Sequence, residues 1–196
     1  MEKKIVFATK NSGKIKEIRE IFKNYEVLSI KDIEEELSVS IVINEDKDTF
    51  NANALEKVRC LYNGVGSEYI CMADDSGLEI DYLNGFPGVK TARWMQGTDE
   101  EKNREIIRKM ENASDRVCHY TTSISIKGKD FEEVFSDTLN GVVGKEAIGS
   151  NGFGFDPIFY VNGKSLAELS MKEKLEISPR RKALEKVQKY LESRAK

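Results

Sequence analysis

The sequence predicts a mixed α/β fold with two lobes, and three observations carry that prediction. Short apolar runs such as Lys4-Ile5-Val6-Phe7-Ala8 and Tyr69-Ile70-Cys71-Met72-Ala73 have the length of buried strands. Segments with apolar residues every three or four positions alternate with them, as helices between strands do. The second half is richer in strand-like stretches, which points to a second lobe and a cleft where ligands commonly sit.

The elements follow in order. After the strand at 4–8, Ile15, Ile18, Ile21 and Phe22 recur at helical spacing among Lys and Glu. Segments 26–30 and 37–43 read as extended. Segment 49–61 reads as a helix with Phe50, Ala54, Leu55 and Val58 on its apolar side. Two strands are expected at 69–73 and 78–80, separated by the acidic pair Asp74-Asp75. Thr98 and Glu101 have the spacing of a capping box opening a helix with Ile106, Ile107 and Met110. Segment 117–126 alternates, with Cys118, Tyr120, Thr122, Ile124 and Ile126 on one face, which leaves His119 on the other in a structural role. One or two strands follow over 131–143. Ser178 is a plausible N-cap with Pro179 at the first helical position, ahead of the stripe Ala183, Leu184, Val187, Tyr190 and Leu191.

Composition narrows the function classes. The chain has 196 residues, 39% hydrophobic and 33% charged, the balance of a globular protein. No run approaches the roughly 18 apolar residues of a membrane span, and no leader pattern opens the chain. The expected location is the cytoplasm, without a membrane partner. Lys and Arg number 31 against 34 Asp and Glu, a net charge of −3, so a nucleic-acid partner is not expected. Three unevenly spaced cysteines and a single histidine argue against a disulfide scaffold, a zinc site or His-rich metal chemistry.

Four stretches could carry chemistry. Ala8-Thr9-Lys10-Asn11-Ser12-Gly13-Lys14 sits at a strand-to-helix turn, where unpaired N–H groups and partial positive charge attract phosphate. It is not a Walker A loop, because Ile15 follows the lysine where a hydroxyl is required. Asp74 and Asp75 are either a polar turn or a pair that holds something positive. One of them could coordinate Mg²⁺, which takes one or two carboxylates and completes its shell with water and phosphate oxygens. In 150–160, Phe153 and Phe155 alternate with glycines before Asp156, so exposed rings could stack on a nucleobase. Lys172, Lys174, Arg180 and Arg181 flank the start of the last helix. Together these fit a nucleoside-triphosphate pocket.

With those residues in place, the chain resembles the Ham1-like inosine/xanthosine triphosphate pyrophosphatase family nearly end to end. The resemblance is carried by FATKNSGKIKEI at the start, TFNANALEK, ADDSGLEIDYLNGFPGVKTAR, GFGFDPIFY and LSMKEKLEISPRRKAL, in the family's order. It implies one domain over 1–196 with an elongated, two-lobed mixed sheet flanked by helices. The active site would lie in a cleft between the lobes, and the molecule would be a homodimer. The implied reaction is Mg²⁺-dependent cleavage of ITP, dITP and XTP to the monophosphate and pyrophosphate.

By motif, the resemblance assigns Thr9, Lys10, Asn11, Ser12, Gly13 and Lys14 to the triphosphate, with Lys57 assisting. Asp75 becomes proton acceptor and metal ligand, supported by Asp74, and Ser76 contacts substrate. Glu45 becomes the other metal ligand, with Asp46 an alternative because Asn44-Glu45-Asp46-Lys47 departs from the family's pattern. Phe153, Gly154, Phe155 and Asp156 face the base, and Lys174 and Arg180 recognise its 6-keto group. Pro179 stands where many members have histidine, so one keto contact must be lost or replaced. Two rival readings are the same chemistry on other modified nucleotides, and a nucleotide-sensing or RNA-binding module without turnover.

Overall fold

The computed structural model describes residues 4–43 and 45–194, and the side chain of Ser12 lies outside that description. The chain runs through β1 (Lys4–Phe7), α1 (Ser12–Ile21), β2 (Glu26–Ser29), α2 (Ile30–Leu37), α3 (Phe50–Val65) and β3 (Ile70–Ile80). It continues through β4 (Phe86–Pro87), α4 (Asp99–Lys109), β5 (Val117–Gly128), β6 (Phe131–Val143), β7 (Phe159–Val161), β8 (Lys164–Ser165), α5 (Met171–Ile177) and α6 (Pro179–Arg194). The fold is mixed α/β, as the sequence predicts. Two compact units divide it: one comprises Met1–Asp75, Thr122–Asp137 and Lys182–Lys196, the other Ser76–Thr121 and Thr138–Arg181.

In the first unit β1 pairs in parallel with both β2 and β3, Val6 standing opposite Leu28 and Cys71. A central parallel strand is covered on both faces, which explains why Ile5, Val6 and Phe7 are all fully buried. Their side chains alternate. Ile5, Phe7 and Met72 pack with Ile15 and Ile18 of α1, with Phe22 at its C-cap, and with Ala183, Leu184 and Val187 of α6. Val6, Cys71 and Ala73 pack on the opposite face with Ile30 and Ile33 of α2 and Val58 and Leu61 of α3. Each such fully buried aliphatic or aromatic side chain contributes about 1.5–3 kcal/mol relative to exposure.

The second unit is antiparallel where its register is fixed: Glu79 opposes Pro87, Val142 opposes Tyr160, and Tyr160 opposes Ser165. Leu78, Ile80, Ile106, Met110, Cys118, Phe155 and Phe159 form its core. His119 is half-covered and makes hydrogen bonds to Asn140 at 2.9 Å and Asp81 at 3.1 Å, in keeping with the structural role expected of it.

Several expectations need correction. Residues 30–37 form helix α2, and 38–43 are irregular, so the second extended segment is absent. The helix starts at a capping box, in which Ser29 Oγ accepts from Asp32 N–H at 3.1 Å and Asp32 returns the bond at 2.8 Å. It ends at Ser38, whose φ of 54° is left-handed. The two strands expected at 69–73 and 78–80 are one, β3, which begins at Ile70, so the acidic pair lies mid-strand and not in a turn. The far face of β5 is also covered: Ser125 donates to Ala54 O, and Ser123 donates to Asn51 Oδ1 at 2.7 Å.

Candidate active site

Alternation along β3 decides what each carboxylate meets. Asp74 shares a face with Met72, the α1 side, and Asp75 shares one with Cys71 and Ala73, the α3 side. Accordingly Lys14 of α1 donates to Asp74 Oδ2 at 2.7 Å, and the Asp74 side chain is 3% exposed. Lys57 of α3 donates to Asp75 Oδ1 at 3.2 Å and to the Asp74 carbonyl at 3.0 Å. Asn53, one turn earlier on the same helix face, donates to Asp75 Oδ2 at 2.9 Å. The pair does hold something positive, and each member holds a different lysine.

The α1 start is organised around Asn11. This residue is the N-cap, its Oδ1 accepting from Gly13 N–H at 2.9 Å and Lys14 N–H at 3.2 Å. Thr9 is buried, and its Oγ1 accepts from Asn11 N–H at 3.2 Å. Lys10 is exposed. The sequence placed Ser12 and Gly13 at this start without identifying Asn11 as the cap, and two donors expected to face phosphate are engaged by the cap itself.

Electrostatics set Asp75 apart. Burial pushes its carboxyl above the ordinary value, Lys57 and Asn53 draw it partly back, and the nearby Glu45 pushes it up again. Burial would depress the Lys57 ammonium, but Asp75, Glu45 and Asp74 together outweigh it and raise it. The two directions belong to one ion pair and are not symmetrical. Desolvation prevails on the acid, which has one close cation, while several acidic groups prevail on the lysine.

Glu45 also bonds the Lys57 ammonium, whereas Asp46 is exposed and pairs with its neighbour Lys47 at 2.8 Å. Two carboxylates and a carbonyl therefore converge on one cationic group. That all-oxygen set suits a hard divalent ion. Among the described residues no three acidic, Cys or His side chains form a metal cluster, so the fit is to an ion that keeps water and substrate oxygens in its shell.

The second unit holds the remaining predicted residues. Ser76 is half-buried in β3 directly after Asp75. Phe153 is 66% exposed, with the Lys174 ammonium 4.9 Å from its ring centroid. Phe155 departs from expectation: it is 6% exposed and belongs to the core, so Phe153 is the ring available for stacking. Asp156 is buried; its Oδ2 accepts from Phe153 N–H at 2.8 Å and pairs with Lys174. This oxygen is thus occupied by the loop and the lysine. Gly152 has φ of +84°, and a Cβ there would run into the Asp156 carboxylate and Lys174. Arg180 is half-buried in the first turn of α6, where Ser178 Oγ accepts from Arg181 N–H at 3.3 Å, the expected cap.

Sequence reasoning gave no role to Asn53, although its four-residue spacing from Lys57 was a usable signal. It also missed Asp99 and Asn103. Asp99 Oδ2 accepts from Gly154 N–H at 2.7 Å, and Asn103 donates to Gly154 O at 2.9 Å. No local pattern reports a contact across that separation.

The chain is similar to known proteins along nearly its whole length. The Ham1 family model matches residues 5–190. A protein named dITP/XTP pyrophosphatase from Staphylococcus aureus strain MW2 is 38% identical over 195 residues, 97% of each chain. One of the same name from Caldanaerobacter subterraneus subsp. tengcongensis is 40% identical over 196 residues, 96% of each. The solved Staphylococcus aureus Ham1 protein superimposes with a TM-score of 0.90 at 36% identity, covering 98% of this chain and 100% of that one. A HAM1 protein from Coxiella burnetii gives 0.85 at 32%, covering 97% and 99%. A match of this length, with fold and sequence in agreement, places the chain in the Ham1 family.

Proposed function

We propose that the protein hydrolyses deaminated purine nucleoside triphosphates (ITP, dITP and XTP) to the monophosphate and pyrophosphate. The observation that carries this is the Asp75 carboxylate, held on one oxygen by Asn53 and on the other by Lys57, with its proton affinity raised by burial. A phosphate-binding module without turnover gains nothing from such a group beside its ligand. Asp75 would accept a proton from the attacking water as an oxygen–phosphorus bond forms at the α-phosphorus. The bond from that phosphorus to the bridging oxygen breaks, and pyrophosphate leaves. Lys14 and Lys57 would meet the phosphate charge, with Thr9, Lys10, Asn11, Ser12 and Gly13 completing the phosphate turn. Ser76 would contact the substrate beside Asp75.

Glu45 and Asp75 would hold Mg²⁺, which when bound supplies charge neutralisation to the phosphate oxygens. In the second unit Phe153 offers its exposed face to the base, supported by Gly154, Phe155 and Asp156. Lys174 and Arg180 can only donate, so they suit a 6-keto purine and leave adenine's amino group unmatched, at a cost of about 1–3 kcal/mol per lost contact. We further take residues 1–196 as one functional domain, a homodimer of the cytoplasm. The three cysteines are free, as suits a reducing compartment, and sedimentation tests the dimer.

The deciding experiment incubates ITP, XTP, dITP, ATP and GTP with the protein and Mg²⁺, with Asp75→Asn as control, and assays pyrophosphate and orthophosphate separately. Pyrophosphate from the deaminated substrates, abolished in the variant, is the expected result. Orthophosphate release, or turnover untouched by the variant, refutes the reaction or the assignment.

A further inference from the structure

The loop carrying Phe153 does not hold itself in place. Gly154 has φ of +62°, and a Cβ there would meet nothing within 4 Å, so glycine is needed for its backbone angle and not for space. Both polar groups of this residue are gripped by one helix: its N–H donates to Asp99 Oδ2 at 2.7 Å and its carbonyl accepts from Asn103 Nδ2 at 2.9 Å. Asp99 and Asn103 are four apart on α4 and so share a face. The capping box of Thr98 with Glu101, at 3.2 and 2.8 Å, fixes where that helix begins.

Asn103 is an uneconomical residue for a core. It is 3% exposed, the bond to Gly154 occupies its amide nitrogen, and its Oδ1 has no partner among the described residues. A leucine would fill this side of α4 without burying an unmatched acceptor. What the amide adds is the bond to the loop. Two cavities, of about 280 and 260 Å³, are both lined by Asp99, Phe153 and Gly154, so the clamp lies beside the space that the Phe153 ring faces.

We infer that Asp99 and Asn103 are positioning residues for base recognition, holding Gly154 from both ends so that Phe153 presents a fixed stacking face. This rests on the reading of Phe153 as base-facing. Stacking is realised in the bound ground state as in the transition state, so loosening it raises KM and leaves kcat nearly alone.

The test measures kcat and KM for ITP and ATP on the wild type, Asn103→Leu, Asp99→Ala and Asp99→Asn, with thermal melts of each. Expected are a KM for ITP about tenfold higher in the first two variants and kcat within about twofold. The Lys174 ammonium lies 4.9 Å from the Phe153 ring centroid, so a loosened loop also misplaces that keto-recognising donor, and the ITP-over-ATP ratio of kcat/KM falls. Asp99→Asn keeps an acceptor oxygen and restores wild-type behaviour. An active enzyme whose KM and selectivity ignore both substitutions overturns the inference. So does a parallel loss of kcat on both substrates that tracks the melting temperature at constant selectivity. A wild type that releases no pyrophosphate from ITP overturns the functional reading and this inference with it.

Discussion

Asn53 has no exposed surface, yet it donates to Asp75 Oδ2 at 2.9 Å while its own Oδ1 accepts from Lys47 N–H at 2.9 Å. One amide thus ties the acidic strand to the segment carrying Glu45. Replacing it with leucine leaves Asp75 held by Lys57 and strands the Lys47 donor. Asn53→Leu is expected to lower kcat/KM for ITP by about 10–100-fold, as loss of a residue that orients a catalytic ligand does. A stability loss of about 1–3 kcal/mol should accompany it. Steady-state rates and urea melts measure the two effects separately.

Gly152 tests the proposed base-binding loop. Its left-handed backbone and the Asp156–Lys174 pair leave no room for a methyl group. Gly152→Ala should destabilise by about 1–2 kcal/mol and push the loop off its lysine. The expected result is a higher KM for ITP with Asp75 chemistry intact, read from kcat at saturating substrate.

Glu132 gives a pH signature far from any chemistry. Arg59 hydrogen-bonds it at 3.0 and 3.1 Å and Lys127 pairs with it at 3.0 Å, which lowers its carboxyl from 4.5 to about 2. A folded value below the unfolded one means the stabilisation is complete above pH 4.5 and is lost as pH falls towards 2. Arg59 is half exposed, so solvent screening limits the effect to about 1 kcal/mol. Glu132→Gln should therefore melt below wild type at pH 7, and the gap should close near pH 2–3. A gap that persists at low pH means packing, not charge, is responsible.

Cysteine reactivity tests the core directly. Burial pushes the Cys71 and Cys118 thiols up to about 12, while Cys60 is half-exposed on α3. A thiol reagent should modify one cysteine in the native protein and all three in denaturant. Rapid native modification of two or more would show that the strands carrying Cys71 and Cys118 open readily.

Much of the fold was legible because its signals are local. Three consecutive buried apolar residues marked β1, and the Thr98 capping box marked α4. Helix α2 was missed because its hydrophobic signal is short and acidic residues dominate it, although Ser29 and Asp32 carried its cap. Strand β3 was broken in two because adjacent aspartates look like a turn when nothing in the sequence shows what neutralises them. Phe155 was grouped with Phe153 by composition, and packing separates them: one ring lies in the core and the other in solvent.

The sequence by itself determined most of the alternating elements, the caps at Thr98 and Ser178, and the family, since periodicity, capping and motif order are all written along the chain. Only the tertiary structure decided that Lys14, sixty positions before Asp74, meets that carboxylate, while Lys57 and Asn53 take Asp75 and Glu45 pairs with Lys57. The reason is geometric. Neighbouring side chains on a strand point to opposite faces, and α1 covers one face of β3 while α3 covers the other.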